Sequence, residues 1–457
     1  FDVVVGNPPY IKIQQVTENY PLLAEELKKK YDSAKYGNYD LYVVFVEKCL
    51  RITNEDGNIG YILPHKFFNS GYGQGLRKLL SENSYVHKVI HFGDHQIFKG
   101  ATTYTCLLFL TKKKNKYFQV AKLDEGRVPA NFLLAASFAT KPNEDWGNND
   151  WLIQDNESKS ILNRFDDLPL LRDITSNIFQ GPKAGADDVF ILDKIREKNA
   201  TIVCYSYSLE KEVEIEKDII RDYLKSKFLR RYLINDNARQ VTIFPYDESF
   251  KLVAEKMLIE RFPKAWSYLN EPTNKKVLLK RENGRFAKQW WCYSRPQNMG
   301  ILNSTKILTP FNAFEASFVL DRRGDFVFSA GVSGAYGILL KPIIKFRLEY
   351  LLGLLNSKLL FFVLRNISTS LRGGFWSFEN KYLQQLPIRT INFEDAADKA
   401  RHDHIVSLVE QMLTAKAKHA ASATESEKNR LDIQIEALDR QIDGAVYDLY
   451  ELSEEER

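Results

Sequence analysis

The four residues Asn7-Pro8-Pro9-Tyr10 set an amide, a rigid carbonyl and an aromatic ring side by side. Two consecutive prolines hold the backbone extended, so the Asn7 amide oxygen and the Pro8 carbonyl can together accept both hydrogens of one exocyclic amino group. Tyr10 offers a flat face to the ring that carries that group. An enzyme that swings a base out of a duplex and reads its Watson-Crick edge needs these features. A proline-stiffened turn after a core strand would use the same residues, so their surroundings must separate the two readings.

Those surroundings begin with Phe1–Gly6, whose β-branched run predicts a buried strand. Asn38–Thr53 carries apolar residues around most of a helix, and Asp56-Gly57 breaks it. Asn58–Leu63 predicts a strand closed by Pro64, Gly71–Leu80 a second helix, and Val86–Phe92 and Thr103–Leu110 two further strands. This alternation is that of an open α/β sheet, which binds ligands at the carboxyl ends of its strands. Asn7–Tyr10 lies at such an end.

Lys112–Lys116 is a charged break, and Lys122–Trp151 is polar and weakly periodic. Beyond it, Ile178–Leu192 predicts two short strands around a Gly-rich turn, Ile219–Tyr232 is basic, and Pro263–Leu269 predicts a helix. Lys306–Pro310 and Phe326–Ser329 predict strands, and Tyr350–Arg365 a single apolar helix. In the tail, Ile405, Leu408 and Met412 form one stripe, and Leu431, Ile435, Leu438, Ile442 and Leu449 another, as in two helices of an antiparallel hairpin. The resulting layout is a first domain over 1–118, a connecting segment over 119–165, a mixed domain over 166–395 and a helical tail over 396–457.

Lys275, Lys276, Lys280, Arg281, Arg285, Lys288, Trp290, Trp291 and Arg295 gather cations and aromatics in a short span. Such cations contact phosphates, which set affinity and register, whereas base identity is read at groove edges. A solvated basic loop beside two core tryptophans is the competing reading. A chain of 457 residues with 44% hydrophobic content has ample material for two or three cores. Its net charge of +5 is compatible with a polyanionic partner without requiring one.

Cys49, Cys106, Cys204 and Cys292 form no Cys-x-x-Cys pair, which suggests neither zinc nor a disulfide framework and fits a reducing cytoplasm. There is no uninterrupted apolar run of membrane-spanning length. His87, His91 and His95 recur every four residues, but on a strand-like segment with no acidic or cysteine cluster beside it, so no metal site is expected. An Asp followed by Glu-x-Lys on a strand, the mark of a nuclease, is not found.

From Phe1 to Leu110 the chain resembles the DNA amino-methyltransferases of the adenine-specific, TaqI-like branch found in restriction-modification enzymes. The resemblance rests on Asn7–Tyr10, the helix-like Asn38–Leu50, Gly57-Asn-Ile-Gly-Tyr-Ile-Leu-Pro64 and the segment His91–Phe98, in that order. It implies that Asn7 and the Pro8 carbonyl hold an adenine amino group, with Tyr10 stacked on one face of the flipped ring and Phe98 on the other. It also implies S-adenosylmethionine as cofactor, touching Asn7 and Pro9, and double-stranded DNA as partner.

The second region is similar to the TaqI-like specificity domain through Gly181–Phe190, Lys225–Tyr232, Trp290–Arg295, Lys306–Pro310, Leu355–Lys358 and Tyr382–Ile388. The implied architecture is α/β: the carboxyl-terminal part of a Rossmann-like methyltransferase sheet, a mixed α+β target-recognition domain and a helical hairpin. In this family the Gly-containing turn and the acidic residue that hold the cofactor precede the tetrapeptide, and neither Gly71–Gly75 nor Gly331–Gly337 replaces them. The chain is therefore expected to be a fragment that does not methylate DNA alone, with a fused upstream nuclease or a separate restriction subunit as a further partner. A non-catalytic DNA-binding specificity subunit is the alternative. An amino-methyltransferase for RNA or protein glutamine is a third reading, disfavoured by the large region after Lys116.

Overall fold

Alternating β-rich runs and apolar helices build a sheet whose edge strand comes from the first residues of the sequence. The computed structural model describes residues 1–93, 97–98, 104–122, 138–143, 146–147, 151, 156–235, 240–324, 326–331, 333–371 and 373–457. It divides into two compact units, Phe1–Asp166 with Arg365–Trp376, and Asp167–Leu364 with Ser377–Arg457.

In the first unit, β1 (Val3–Gly6), β2 (Asn58–Pro64), β3 (Val86–His91), β4 (Thr105–Thr111), β5 (Tyr117–Lys122) and β6 (Ala139–Pro142) form one sheet in the order β1-β2-β4-β3-β5-β6. β1 runs parallel to β2, with Gly6 opposite Tyr61. β4 is inserted antiparallel between β2 and β3. β1, β2 and β3 therefore point the same way and release their chains at one edge of the sheet. The helix α3 (Tyr42–Ile52) links β1 to β2 and buries Val43, Val46 and Leu50. α4 (Gln74–Glu82) links β2 to β3 and buries Leu76 and Leu80.

Four features differ from the sequence-based expectation. β1 is an edge strand rather than a buried one, and its outward face leaves Val3 62% and Val5 78% exposed. Being hydrogen-bonded only to β2 among the described residues, it lacks the cover that a β-branched run normally finds. The helix also starts later than Asn38, because residues 39–41 instead engage the tetrapeptide's own loop. Two short helices, α1 (Ile13–Asn19) and α2 (Pro21–Lys30), were not signalled by periodicity. β5 and β6 continue the sheet past residue 118, into the span whose composition read as a connecting segment.

The second unit holds a six-stranded sheet in the spatial order Lys211–Glu216, Thr201–Ser206, Ile191–Glu197, Gln240–Ile243, Ile220–Leu224 and Val327–Phe328. A four-stranded sheet joins Val319–Asp321, Lys306–Pro310, Ala335–Leu340 and Thr175–Gln180. The Gly-rich turn after Thr175–Gln180 runs into a short helix, Asp187–Phe190, before the next strand. The apolar stretch near Tyr350 is two helices, Leu348–Asn356 and Lys358–Ile367, bent by 64° at their junction. Ser357 makes the break, its hydroxyl donating to Leu354 and accepting from the Leu360 amide.

The tail is a pair of long helices, Ala396–Ala421 and Glu425–Leu449, and both expected stripes are buried. The pair packs on the Leu348–Asn356 helix at Gly353, where an added Cβ would stand 2.9 Å from Ile405 and from Val409. Asp443 accepts the Lys358 amide, and Arg231 pairs with Asp439. No single helix among the described residues is long and apolar enough to cross a membrane.

Candidate functional site

Asn7 leaves the end of β1 exposed, Pro8 is buried, and Pro9 and Tyr10 are half-buried. The loop that follows is pinned twice. The Leu41 amide donates to Ile11 at 2.8 Å, and the Ile13 amide to Tyr39 at 2.9 Å, with Lys12 bridged to Asp40. Tyr10 is tied in its turn: its hydroxyl donates to the Ile62 carbonyl of β2 at 3.1 Å, and its ring meets Tyr42 edge-on at 6.4 Å. Burial pushes the Tyr10 phenol up to about 12, with Cys106 adding to the effect, so it remains a neutral donor.

Beneath it, the buried Tyr42 shares a 2.9 Å hydrogen bond with the Tyr72 hydroxyl, which reaches Asp40 at 3.4 Å. Burial raises the Asp40 carboxyl, opposed by Lys66 and by the Tyr72 hydrogen bond. This aromatic floor fixes the tetrapeptide on the sheet edge without using the Asn7 side chain. A rigid backbone thus holds an exposed Asn7 at a strand end, next to the buried Pro8.

The ends of β2 and β3 meet the same edge with aromatic groups that sequence reasoning did not select. His65, just after β2, stacks on His91 at 4.3 Å and lies nearly parallel to the Tyr104 ring at 6.1 Å. Its amide donates to Tyr104 at 3.2 Å. The buried imidazole is lowered to about 4 by desolvation, with Lys66 assisting and the Thr105 backbone opposing, and its Nδ1 has no hydrogen-bond partner among the described residues. Tyr104 Oη donates to Leu371 at 3.3 Å and accepts from Gly373 at 3.2 Å, so residues 365–376 return to this unit. The signal in the sequence was the aromatic density of His65-Lys66-Phe67-Phe68 directly after Pro64.

Phe98 is half-buried, and the chain leaves β3 toward it at the edge where β1 releases Asn7. Of the three spaced histidines, His91 belongs to the stack, His87 is exposed on β3, and His95 lies outside the described residues. Gly73 and Gly75 do not form an open cradle. An added Cβ would stand 2.1 Å from the Phe67 carbonyl at Gly73 and 2.8 Å from Tyr36 at Gly75, so both serve close packing.

In the second unit the basic span divides. Lys280, Arg285, Lys288 and Arg295 are exposed, with Arg285 near Glu282 at 3.5 Å. Arg281, Trp290 and Trp291 are buried, which corrects their expected place on a DNA-binding surface. The Arg281 guanidinium donates to Ala184 and Trp290 at 2.6 Å each and to Leu278 at 3.1 Å, and Trp291 donates to Val253 at 3.0 Å. Trp290 packs on Trp266 at 5.0 Å, with Lys275 over its face at 5.1 Å. Buried in the interior, this cation and these two indoles serve packing and the joining of segments rather than an exposed surface.

Comparison with known proteins agrees with both halves of the sequence reading. Residues 1–98 match the model of the Eco57I restriction-modification methylase family, and residues 273–388 that of the TaqI-like C-terminal specificity domain. The chain is 28% identical to the type II restriction enzyme and methyltransferase RM.Eco57I of Escherichia coli, over 99% of this chain and 46% of that protein. It is 24% identical to the type II methyltransferase M.HindII of Haemophilus influenzae, over 91% of this chain and 80% of that protein. The type IIL restriction-modification enzyme MmeI, solved in complex with DNA, shares the fold with a TM-score of 0.59 at 12% identity, covering 99% of this chain and 54% of that one. The chain thus spans about half the length of two of these three relatives.

Proposed function

We propose that this chain, which carries a restriction-modification methylase segment and a TaqI-like specificity domain, is the part of a DNA adenine methyltransferase that receives the flipped base and binds its duplex. The observation that carries the reading is the exposed Asn7 amide beside the Pro8 carbonyl, on a loop pinned to Tyr39, Leu41 and Ile62 at the carboxyl end of β1. The order of strands around β4 is compatible with a Rossmann-like methyltransferase sheet.

Asn7 and Pro8 accept the two amino hydrogens of adenine and favour the tetrahedral, nucleophilic nitrogen over the conjugated one. Their contribution is electrostatic and geometric, and it requires no covalent intermediate. Tyr10 supplies one face of the base pocket and Phe98 the other. S-adenosylmethionine, when bound, would supply the sulfonium methyl group, and Asn7 and Pro9 are the residues of this chain that would touch it. The hydrogen-bonded floor of Tyr42, Tyr72 and Asp40 keeps the tetrapeptide from yielding as the base enters.

The deciding experiment substitutes Asn7→Ala in the full-length enzyme and follows transfer of a labelled methyl group to duplex DNA, RNA and protein acceptors. Transfer is expected to DNA alone and to disappear in the variant, while duplex binding in a mobility-shift assay is retained. Turnover like that of the wild type would remove Asn7 from the catalytic site, whereas wild-type enzyme that binds duplex without transferring a methyl group would favour a non-catalytic specificity subunit.

A further inference from the structure

The loop after Thr175–Gln180 and the segment after Trp290 form an isolated antiparallel bridge in which Lys183 stands directly opposite Arg295. The two residues exchange both backbone hydrogen bonds, at 2.9 and 3.0 Å. Side chains of such a directly opposed pair project from the same face, and like charges there destabilise the pairing. Both side chains are exposed, and Lys183 acts on the neighbouring Asp187 carboxyl through space. The bridge thus sets two positive charges side by side at the surface.

The bridge is also held at some cost. Arg281 is buried, and its donors go to the carbonyls of Leu278, Ala184 and Trp290, the last two on the two segments being joined. A buried guanidinium whose partners are carbonyls, the Cys292 thiol and two aromatic rings, with no carboxylate bonded to it among the described residues, carries a desolvation penalty that an apolar residue would avoid. Further ties are Ser294 Oγ to Lys183 at 3.2 Å, Gln297 to Gly181 at 3.1 Å and Asn298 to Gln180 at 2.9 Å. The approach is close enough to require glycine at 185, which has φ +78° and where a Cβ would fall 2.4 Å from Ser294 Oγ. Lys225, just past the Ile220–Leu224 strand, belongs to the same neighbourhood: burial raises the Asp187 carboxyl there, and Lys183 and Lys225 oppose it.

We infer that Lys183 and Arg295 form a preorganised clamp for a phosphate of the duplex DNA backbone, with Arg281 as the positioning residue that locks the two segments in register. The clamp rests on the DNA-methyltransferase reading of the chain and adds to it a site for affinity rather than for sequence. A phosphate diester between the two cations relieves the repulsion that the bridge imposes, and Arg295 can bind its oxygens through two parallel N–H groups.

The test is Lys183→Ala with Arg295→Ala in the full chain, measured by fluorescence anisotropy on a labelled duplex of mixed sequence across a salt series. The slope of log K against log salt is expected to shrink by about 2, one for each lost phosphate-contacting cation. Preference for the target over random sequence should be unchanged, since phosphate contacts carry no base information. The melting temperature should stay level or rise, because the repulsion is gone, whereas loss of a purely structural pair would lower it. An unchanged slope, with wild-type binding intact, overturns the clamp and leaves the methyltransferase reading standing. Wild-type protein that binds no duplex overturns both. Inorganic phosphate that saturates the site without competing against DNA overturns the assignment to the backbone.

Discussion

The Tyr10 hydroxyl donates to the carbonyl of Ile62 at 3.1 Å, which ties the last residue of the tetrapeptide to the strand beside its own. The ring proposed to stack on the base is thereby held at its polar end, and its orientation is set by the sheet. Tyr10→Phe keeps the ring and loses the tether, so it should lower stability by about 1 kcal/mol and leave methyl transfer within a few-fold of wild type. Tyr10→Ala removes the stacking face, about 1 to 3 kcal/mol per base, and should lower kcat/KM about tenfold or more. Urea denaturation and methyl-transfer kinetics separate the two effects, and an alanine variant as active as the phenylalanine one would remove Tyr10 from the pocket.

His65 provides a pH-dependent element at the same sheet edge. Its imidazole is held down to about 4 by burial, below its usual 6.5, so the folded state favours the neutral ring. The unfolded chain binds the proton first as pH falls, and this contribution to stability is complete above pH 6.5 and is lost progressively toward pH 4. The loss is on the order of 3 kcal/mol. His65→Phe keeps an aromatic ring between Phe68 and His91 without a titrating group, and it should flatten the urea midpoint across that range. A variant with the same acid dependence as wild type would assign it to other groups.

The helical tail gives a packing prediction. Gly353 lets the Leu348–Asn356 helix approach Ile405 and Val409, with an added Cβ only 2.9 Å from each. Gly353→Val should overpack this contact and cost about 1 to 3 kcal/mol. Residues 396–457 should then become the first site of limited proteolysis, before the sheet of the first unit. Uniform digestion would mean that the hairpin is not held by this contact.

What the sequence disclosed and what it withheld follow from the range of the interactions. The tail stripes, from Ile405 to Leu449, are periodic within single helices, and both faces are buried as spacing implies. Asn7–Tyr10 was legible because two prolines act on their own neighbours. The Lys306–Pro310 strand was found to the residue. In contrast, the tether of Tyr10 to Ile62 and that of Tyr104 to Leu371 join residues far apart in the chain, and no local pattern encodes them. Arg281 and Arg295 look alike in a basic run, yet the carbonyls of Ala184 and Trp290 draw one inside and leave the other in water. Val3 and Val5 read as core because composition reports apolarity and not the position of a strand at a sheet edge.

Lys306 and Asp321 make the last prediction. They face each other across two paired strands, exposed by 0% and 2%, with Nζ and Oδ2 2.7 Å apart. The ammonium places its remaining donors on Leu302 at 2.5 Å and Ser304 at 3.1 Å, and Asp321 Oδ1 accepts from Gly324 at 2.9 Å. With all three lysine donors engaged, the pair is satisfied, but its desolvation offsets much of its attraction. Asp321→Asn leaves the lysine charge buried without a counter-charge, and it should cost about 3 to 5 kcal/mol in urea denaturation. Lys306→Met with Asp321→Leu removes both charges, and it should recover most of that loss, since an apolar pair of similar volume is often as stable. If the double variant proves as unstable as the single one, the pair is a net source of stability and the cost of burying it has been overstated.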